Sequence, residues 1–190
     1  MIGDLPKALE VGGEMWDIRT DYRNILRIFE ALEDTKLTDA DKLYITLVRI
    51  YVDFKKMPHK YYQEAYEKAS KFMEGHDRSD DKGNPKLINW EKDEHMIFPA
   101  INAVAGCEVR AIEYMHWWTF LGFFESVDNE SLWSFVLSIR QKRARGKKLE
   151  KHEQEFYKRN IYLCDVKKPE EKKKAEDTAE DIFNSLLSNQ

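Results

Sequence analysis

Five histidines and 35 acidic residues supply the groups that could do chemistry, and their spacing is the first thing to weigh. Glu113-x-x-His116 has the i,i+3 spacing that carboxylate-bridged di-iron sites use in helix bundles. Such a site requires a second Glu-x-x-His pair and two further glutamates. His59, His76, His95 and His152 have no acidic residue three positions earlier. Glu91 and His95 stand four apart on an expected helix and find no second half. His116 is therefore expected to be a core histidine whose ring nitrogens are hydrogen-bonded, and no metal, cofactor or catalytic residue is assigned. No nucleophile elbow, P-loop, dinucleotide fingerprint or HExxH occurs. Asp80-Asp81 lacks the spacing of a calcium loop.

The remaining charge-based feature is a basic run. Residues 140–190 hold 14 Lys/Arg against 10 Asp/Glu, whereas residues 1–139 hold 17 against 25. The excess lies in Arg140, Lys142, Arg143, Arg145, Lys147, Lys148 and Lys151. A run of this kind attracts nucleic acid or an acidic partner. An acidic remainder repels a phosphate backbone from most of the surface, so nucleic-acid binding through residues 140–151 is kept as the alternative reading.

The elements that must position these residues are mainly helical. With 42% hydrophobic and 35% charged residues, only eight glycines and five prolines, the composition leans to a soluble helical fold. Two cysteines in no CxxC motif imply no disulfide framework and suit a reducing compartment. No apolar stretch reads as a signal peptide or a membrane span.

The stretch EYMHWWTFLGFFE, residues 113–125, organises the chain. Val109, Ile112, His116, Phe120 and Phe123 fall at helical spacing, which predicts a buried helix from about Glu108 onward. Trp117, Trp118, Phe120 and Phe124 are expected to be mostly buried. Ahead of it, residues 7–19 predict a β-hairpin turning at Gly12-Gly13, with Leu9, Val11, Trp16 and Ile18 on one face. Thr20 is the expected cap of a first helix with the stripe Tyr22, Ile25, Leu26, Phe29 and Leu32. Thr38 or Asp39 caps a second helix ending near Phe54. Pro58 opens a third, which Gly75 ends.

Residues 76–86 are polar and read as a loop within one domain. Asn89 caps a helix through Ala105 that contains Pro99. Ser131 caps another, broken by the basic run and Gly146, and residues 149–163 read as one further helix. The fold expectation is a mainly α, single helical domain with a small N-terminal β-hairpin over residues 1–167. A charged-to-amphipathic segment, 168–190, follows. Its stripe of Ile182, Phe183, Leu186 and Leu187 is the candidate partner surface, together with Arg140, Arg143 and Lys147 from the basic run. It is read either as a docked last helix or as a tail that folds on a partner.

The segment EYMHWWTFLGFFE resembles the LHWW-type signature of the phage "gene product fifteen" family of tailed phages and prophages of Gram-positive bacteria. The opening LPKALEVGGEMWDIRTDYRNILRIFEAL is similar to that family's hairpin and Tyr/Phe-Arg helix. WEKDEHMIFPAINAVAGCEV and SFVLSIRQKRARGKKLEKHEQEFYKRN are similar to its later segments, with Pro99 standing where a small residue is expected. The resemblance implies a non-enzymatic tail assembly chaperone. It would keep the tape measure protein of the same phage soluble and help recruit tail-tube subunits. It would act in the host bacterial cytoplasm and be absent from the finished virion, with self-association left open. The family offers no catalytic residues to carry over.

Overall fold

The computed structural model describes residues 3–75 and 87–166. Among them lie two strands, β1 (Ala8–Val11) and β2 (Glu14–Asp17), and eight α-helices. These are α1 (Tyr22–Glu33), α2 (Asp39–Ile50), α3 (Tyr62–Glu74), α4 (Trp90–Ala105), α5 (Trp117–Glu125), α6 (Leu132–Ala144), α7 (Lys151–Arg159) and α8 (Ile161–Cys164). The mainly α fold with a small N-terminal hairpin is as the sequence reading has it. The expected loop at 76–86 and the segment beyond residue 166 lie outside the described residues. Where the sequence reading has one domain, the contacts group into two compact units. The described part of the first is residues 3–75 with 115–118, and that of the second is residues 87–114 with 119–166.

In the first unit β1 and β2 pair antiparallel, with Leu9 opposite Trp16 and Val11 opposite Glu14, which is the expected register. Val11 and Ile18 are buried and Leu9 and Trp16 half-buried, so the predicted face is the one that packs. Gly12 and Gly13 sit at φ +62° and +81°, where a side chain is strained. A Cβ on Gly12 would also lie 2.5 Å from the Tyr61 ring. Gly12→Val is therefore expected to destabilise the protein by more than the roughly 1–3 kcal/mol of backbone strain alone. Gly13→Val meets no atom within 4 Å and serves as the control. Equal melting temperatures for the two variants would refute the close approach of Tyr61.

Asp21, not Thr20, caps α1: its side chain accepts from the Arg23 N–H. Thr20 is buried, and its carbonyl accepts instead from the Trp117 N–H at 2.7 Å. Thr38 caps α2 as expected, in a capping box with Asp41 whose hydrogen bonds hold the Asp41 carboxyl below its ordinary pKa. The helix stops at Ile50 rather than near Phe54, because the Arg19 guanidinium donates to the Val48, Arg49, Tyr51 and Val52 carbonyls at its end. Pro58 precedes a short 3₁₀ turn, and α3 runs from Tyr62 to the stop at Gly75.

Buried Tyr51 donates its hydroxyl to the Ala65 carbonyl at 2.8 Å, joining α2's end to α3. Burial raises its pKa well above 10.0, with the nearby Glu64 charge adding to the shift. A raised phenol pKa favours the folded state below the unfolded value, and that stability is lost as pH climbs past about 10. The melting temperature is expected to fall on alkaline titration, and less steeply in Tyr51→Phe. Identical alkaline slopes would remove Tyr51 as the cause.

In the second unit Asn89 caps α4 and Gly106 ends it, with Pro99 inside, as expected. Met96, Ile97, Phe98, Ala100 and Ile101 are its buried residues along with Asp93. Ser131 caps α6, which buries Trp133, Val136 and Ile139. The expected single helix over 149–163 is two: Asn160 breaks it, its own N–H and side chain both donating to the Phe156 carbonyl. Cys164 is buried, and burial raises its thiol above the ordinary range; Cys107 is exposed and both are free.

Candidate functional site

The expected helix from Glu108 does not form. A 3₁₀ turn covers Val109–Ala111, and residues 112–116 are non-helical up to the start of α5 at Trp117. Within the first unit this backbone meets the start of α1: His116 forms a bridge with Asp21, and Tyr22 N–H donates to the Met115 carbonyl. Glu113 and His116 therefore share no helical face, and the di-iron spacing has no geometric meaning here. His116 is buried. Its Nε2 lies 3.0 Å from the Pro6 carbonyl and its Nδ1 3.0 Å from the Trp118 N–H. A carbonyl only accepts and an amide only donates, so Nε2 carries the proton and both nitrogens are used. The histidine staples the chain ahead of β1 to the first turn of α5, in keeping with a hydrogen-bonded core role.

The aromatics around it are bonded as well as packed. Trp117 is 1% exposed, donates Nε1–H to the Met73 carbonyl at 2.9 Å and meets Phe29 edge-on at 5.7 Å. Trp118 donates to the Phe72 carbonyl and stacks on the Phe72 ring. Both indoles thus close the C-terminal turn of α3. Phe120 is fully buried in the second unit, while Trp118 and Phe124 are half-buried. Glu91 and His95 are exposed on α4, and His95 Nδ1 faces the Lys92 carbonyl. No group of three or more His, Cys, Asp or Glu placed to hold a metal occurs among the described residues.

The basic run is largely turned to structural use. Arg140 is 3% exposed, which corrects its reading as a surface cation. It donates to both carboxylate oxygens of buried Asp93, at 2.6 and 2.7 Å, and to the Leu87 and Leu163 carbonyls. Lys142 pairs with buried Glu153 at 2.6 Å. Arg143 pairs with Asp165 and lies over the Tyr157 ring. Arg145, Lys147, Lys148 and Lys151 remain exposed. Of the candidate partner residues, Arg143 and Lys147 stay accessible, and Ile182, Phe183, Leu186 and Leu187 lie outside the described residues. The sequence signal missed for Arg140 is the acid at Asp93, an i+4 partner to the Asn89 cap, whose N–H it also accepts.

The first unit thus holds a stapled aromatic segment, and the second an internally compensated basic helix. A model of the bacteriophage Gp15 protein family matches residues 1–163 of the chain, and the chain belongs to that family. It is a phage protein. No curated protein and no solved structure shows significant similarity to it. Among the described residues, no helix is long and apolar enough to cross a membrane.

Proposed function

We propose that the chain is a non-enzymatic tail assembly chaperone, which binds the tape measure protein of the same phage and helps recruit tail-tube subunits. It acts in the host cytoplasm and leaves before the virion is finished. The observation that carries the reading is membership of the bacteriophage Gp15 family over residues 1–163. The resemblance read from the aromatic segment associates that family with tail assembly. The physical demand fits. A tape measure protein is long and helical, and its apolar stripes need cover until the tube forms. Amphipathic segments cover such stripes by helix-in-groove contacts, and a surface rich in both charges keeps the complex dispersed. The stripe Ile182, Phe183, Leu186 and Leu187 lies beyond the family match and has the sequence spacing of such a segment.

The test is co-expression with the tape measure protein encoded by the same phage. The full chain is expected to keep that protein in the soluble fraction. A precipitated tape measure in its presence would overturn the reading. Truncation after Lys168 then locates the contact. Lost solubilisation with a near-unchanged melting temperature assigns it to the C-terminal segment. Normal solubilisation moves it to the exposed Arg145, Lys147 and Lys148. The nucleic-acid alternative is weakened by the internal pairing of Arg140, Lys142 and Arg143. It would be revived by co-purifying DNA or RNA whose retention falls steeply with salt.

A further inference from the structure

The second unit carries a surface that matches itself. On α4, Lys92, Met96, Pro99, Ala100 and Ala103 recur at three- and four-residue spacing and so share one face. Met96, Pro99, Ala100 and Ala103 line an open cleft of about 480 Å³, which Leu132 also lines. Leu132 is 50% exposed although it opens α6, so a leucine-sized apolar side chain faces solvent there. His95 and Ser131 also line it, and Asp128 and Glu130 make that end acidic. At the N-terminal end of the same α4 face, Lys92 Nζ stands 4.5 Å over the Tyr162 ring and donates to the Asp165 carbonyl. Tyr162 and its neighbour Ile161 are large apolar residues that are also exposed, at 69% and 51%. Exposed Lys158 and Arg159 end α7, with Asn160 between them and Ile161. Neither Glu130 nor Arg159 is in an ion pair among the described residues.

One face therefore runs from a basic, apolar projection to an acidic, apolar cleft. At 1.5 Å per residue the two ends stand roughly 10–15 Å apart along α4. A chain cannot bring its own projection into its own cleft, but a copy turned by 180° brings each projection to the other's cleft. That is the requirement of an isologous two-fold interface, in which residue i meets j and j meets i. We propose that a second copy of this chain occupies the cleft, with Ile161 and Tyr162 of each copy against Leu132 and the Met96–Ala103 floor of the other. Arg159 of each copy then faces Glu130 of the other. The occupant follows from charge: the cleft's rim selects a basic apolar element, and this chain carries one in Ile161-Tyr162 with Lys158-Arg159 two to four residues ahead, its Tyr162 ring lying against Lys92 of α4.

Sedimentation velocity of the full chain across the micromolar range is expected to show a reversible monomer–dimer equilibrium and nothing larger, because a two-fold contact closes. Leu132→Asp and Tyr162→Asp are each expected to weaken the dimer about tenfold or more, as central apolar contacts do, without moving the monomer's melting temperature. Glu130→Lys and Arg159→Glu are each expected to weaken it about 3- to 10-fold, two symmetry-related exposed pairs being lost at once. The two charge changes made together in one chain should restore the dimer, since each reversed residue again meets its opposite. A monomer at every concentration, or species that keep growing with concentration, would overturn the proposal. So would charge variants without effect, or a double variant without rescue. Lowered melting temperature for Leu132→Asp in a monomeric protein would mean that residues of the same chain cover the cleft, and would overturn it too.

Discussion

Trp117→Ala is expected to lower the unfolding free energy by about 3–5 kcal/mol, the range for truncating a buried large aromatic. The side chain is among the largest fully buried in the protein. Its loss removes three things at once. The indole's apolar area leaves the core, its edge contact to Phe29 goes, and the Met73 carbonyl near the end of α3 loses its donor. Since a domain's total stability is about 5–15 kcal/mol, the variant should sit near its threshold. Trp117→Phe separates the terms: it keeps much of the area and drops only the hydrogen bond, so it should cost distinctly less. Chemical denaturation followed by far-UV circular dichroism reads both. A Trp117→Ala midpoint equal to that of the unsubstituted chain would show that this segment is not the anchor of the first unit.

That anchor was legible as a buried aromatic segment and illegible as to backbone. Periodicity over residues 109–123 suggests one long helix because His116 and Ile112 fall at helical spacing. The segment is instead a 3₁₀ turn followed by non-helical backbone up to His116, because its last residues have backbone partners near the chain's beginning. Met115 N–H donates to the Asp21 carboxylate, a residue 94 positions away, and Trp117 N–H donates to the Thr20 carbonyl. Local pattern carries no information about a partner so distant. The same bond explains the misassigned cap, since the Thr20 carbonyl is engaged and Asp21 is left to cap α1. Elsewhere the local rules sufficed. Gly12-Gly13 sets the hairpin register, Thr38 and Asp41 form a capping box, and Asn89, Ser131 and Gly106 bound their helices.

The limits at the candidate site have the same origin. A run of seven basic residues looks like a surface, because sequence shows the density of charge and not its neutralisation. Three of the seven meet acids 47, 11 and 22 positions away, at Asp93, Glu153 and Asp165. Helical spacing within α6 gave one warning: Val136 and Ile139 face inward, and Arg140 follows Val136 at i+4 on that same face. A cation on a buried stripe demands a buried anion.

The Asp93–Arg140 pair makes that demand quantitative. Asp93 and Arg140 have side chains 0% and 1% exposed, and the pairing is two-pronged. Breaking such a pair strands a charge away from water, and Asp93→Ala is expected to cost about 3–5 kcal/mol. It also strips the acceptor from the Asn89 N–H at the start of α4. Arg140→Met is expected to cost a comparable amount. It leaves the carboxylate alone and removes the donors that hold the Leu87 and Leu163 carbonyls, so α4, α6 and α8 all lose a tie. The double variant Asp93→Ala with Arg140→Met should fall well short of the sum of the single losses, because no charge remains buried. It should not return to the starting stability, since those two carbonyls would still lack Arg140. Urea denaturation of the four proteins, with equal slopes, gives the coupling directly. Strict additivity would mean that each residue acts alone, and that Arg140 serves the second unit through its packing against Trp133 rather than through its charge.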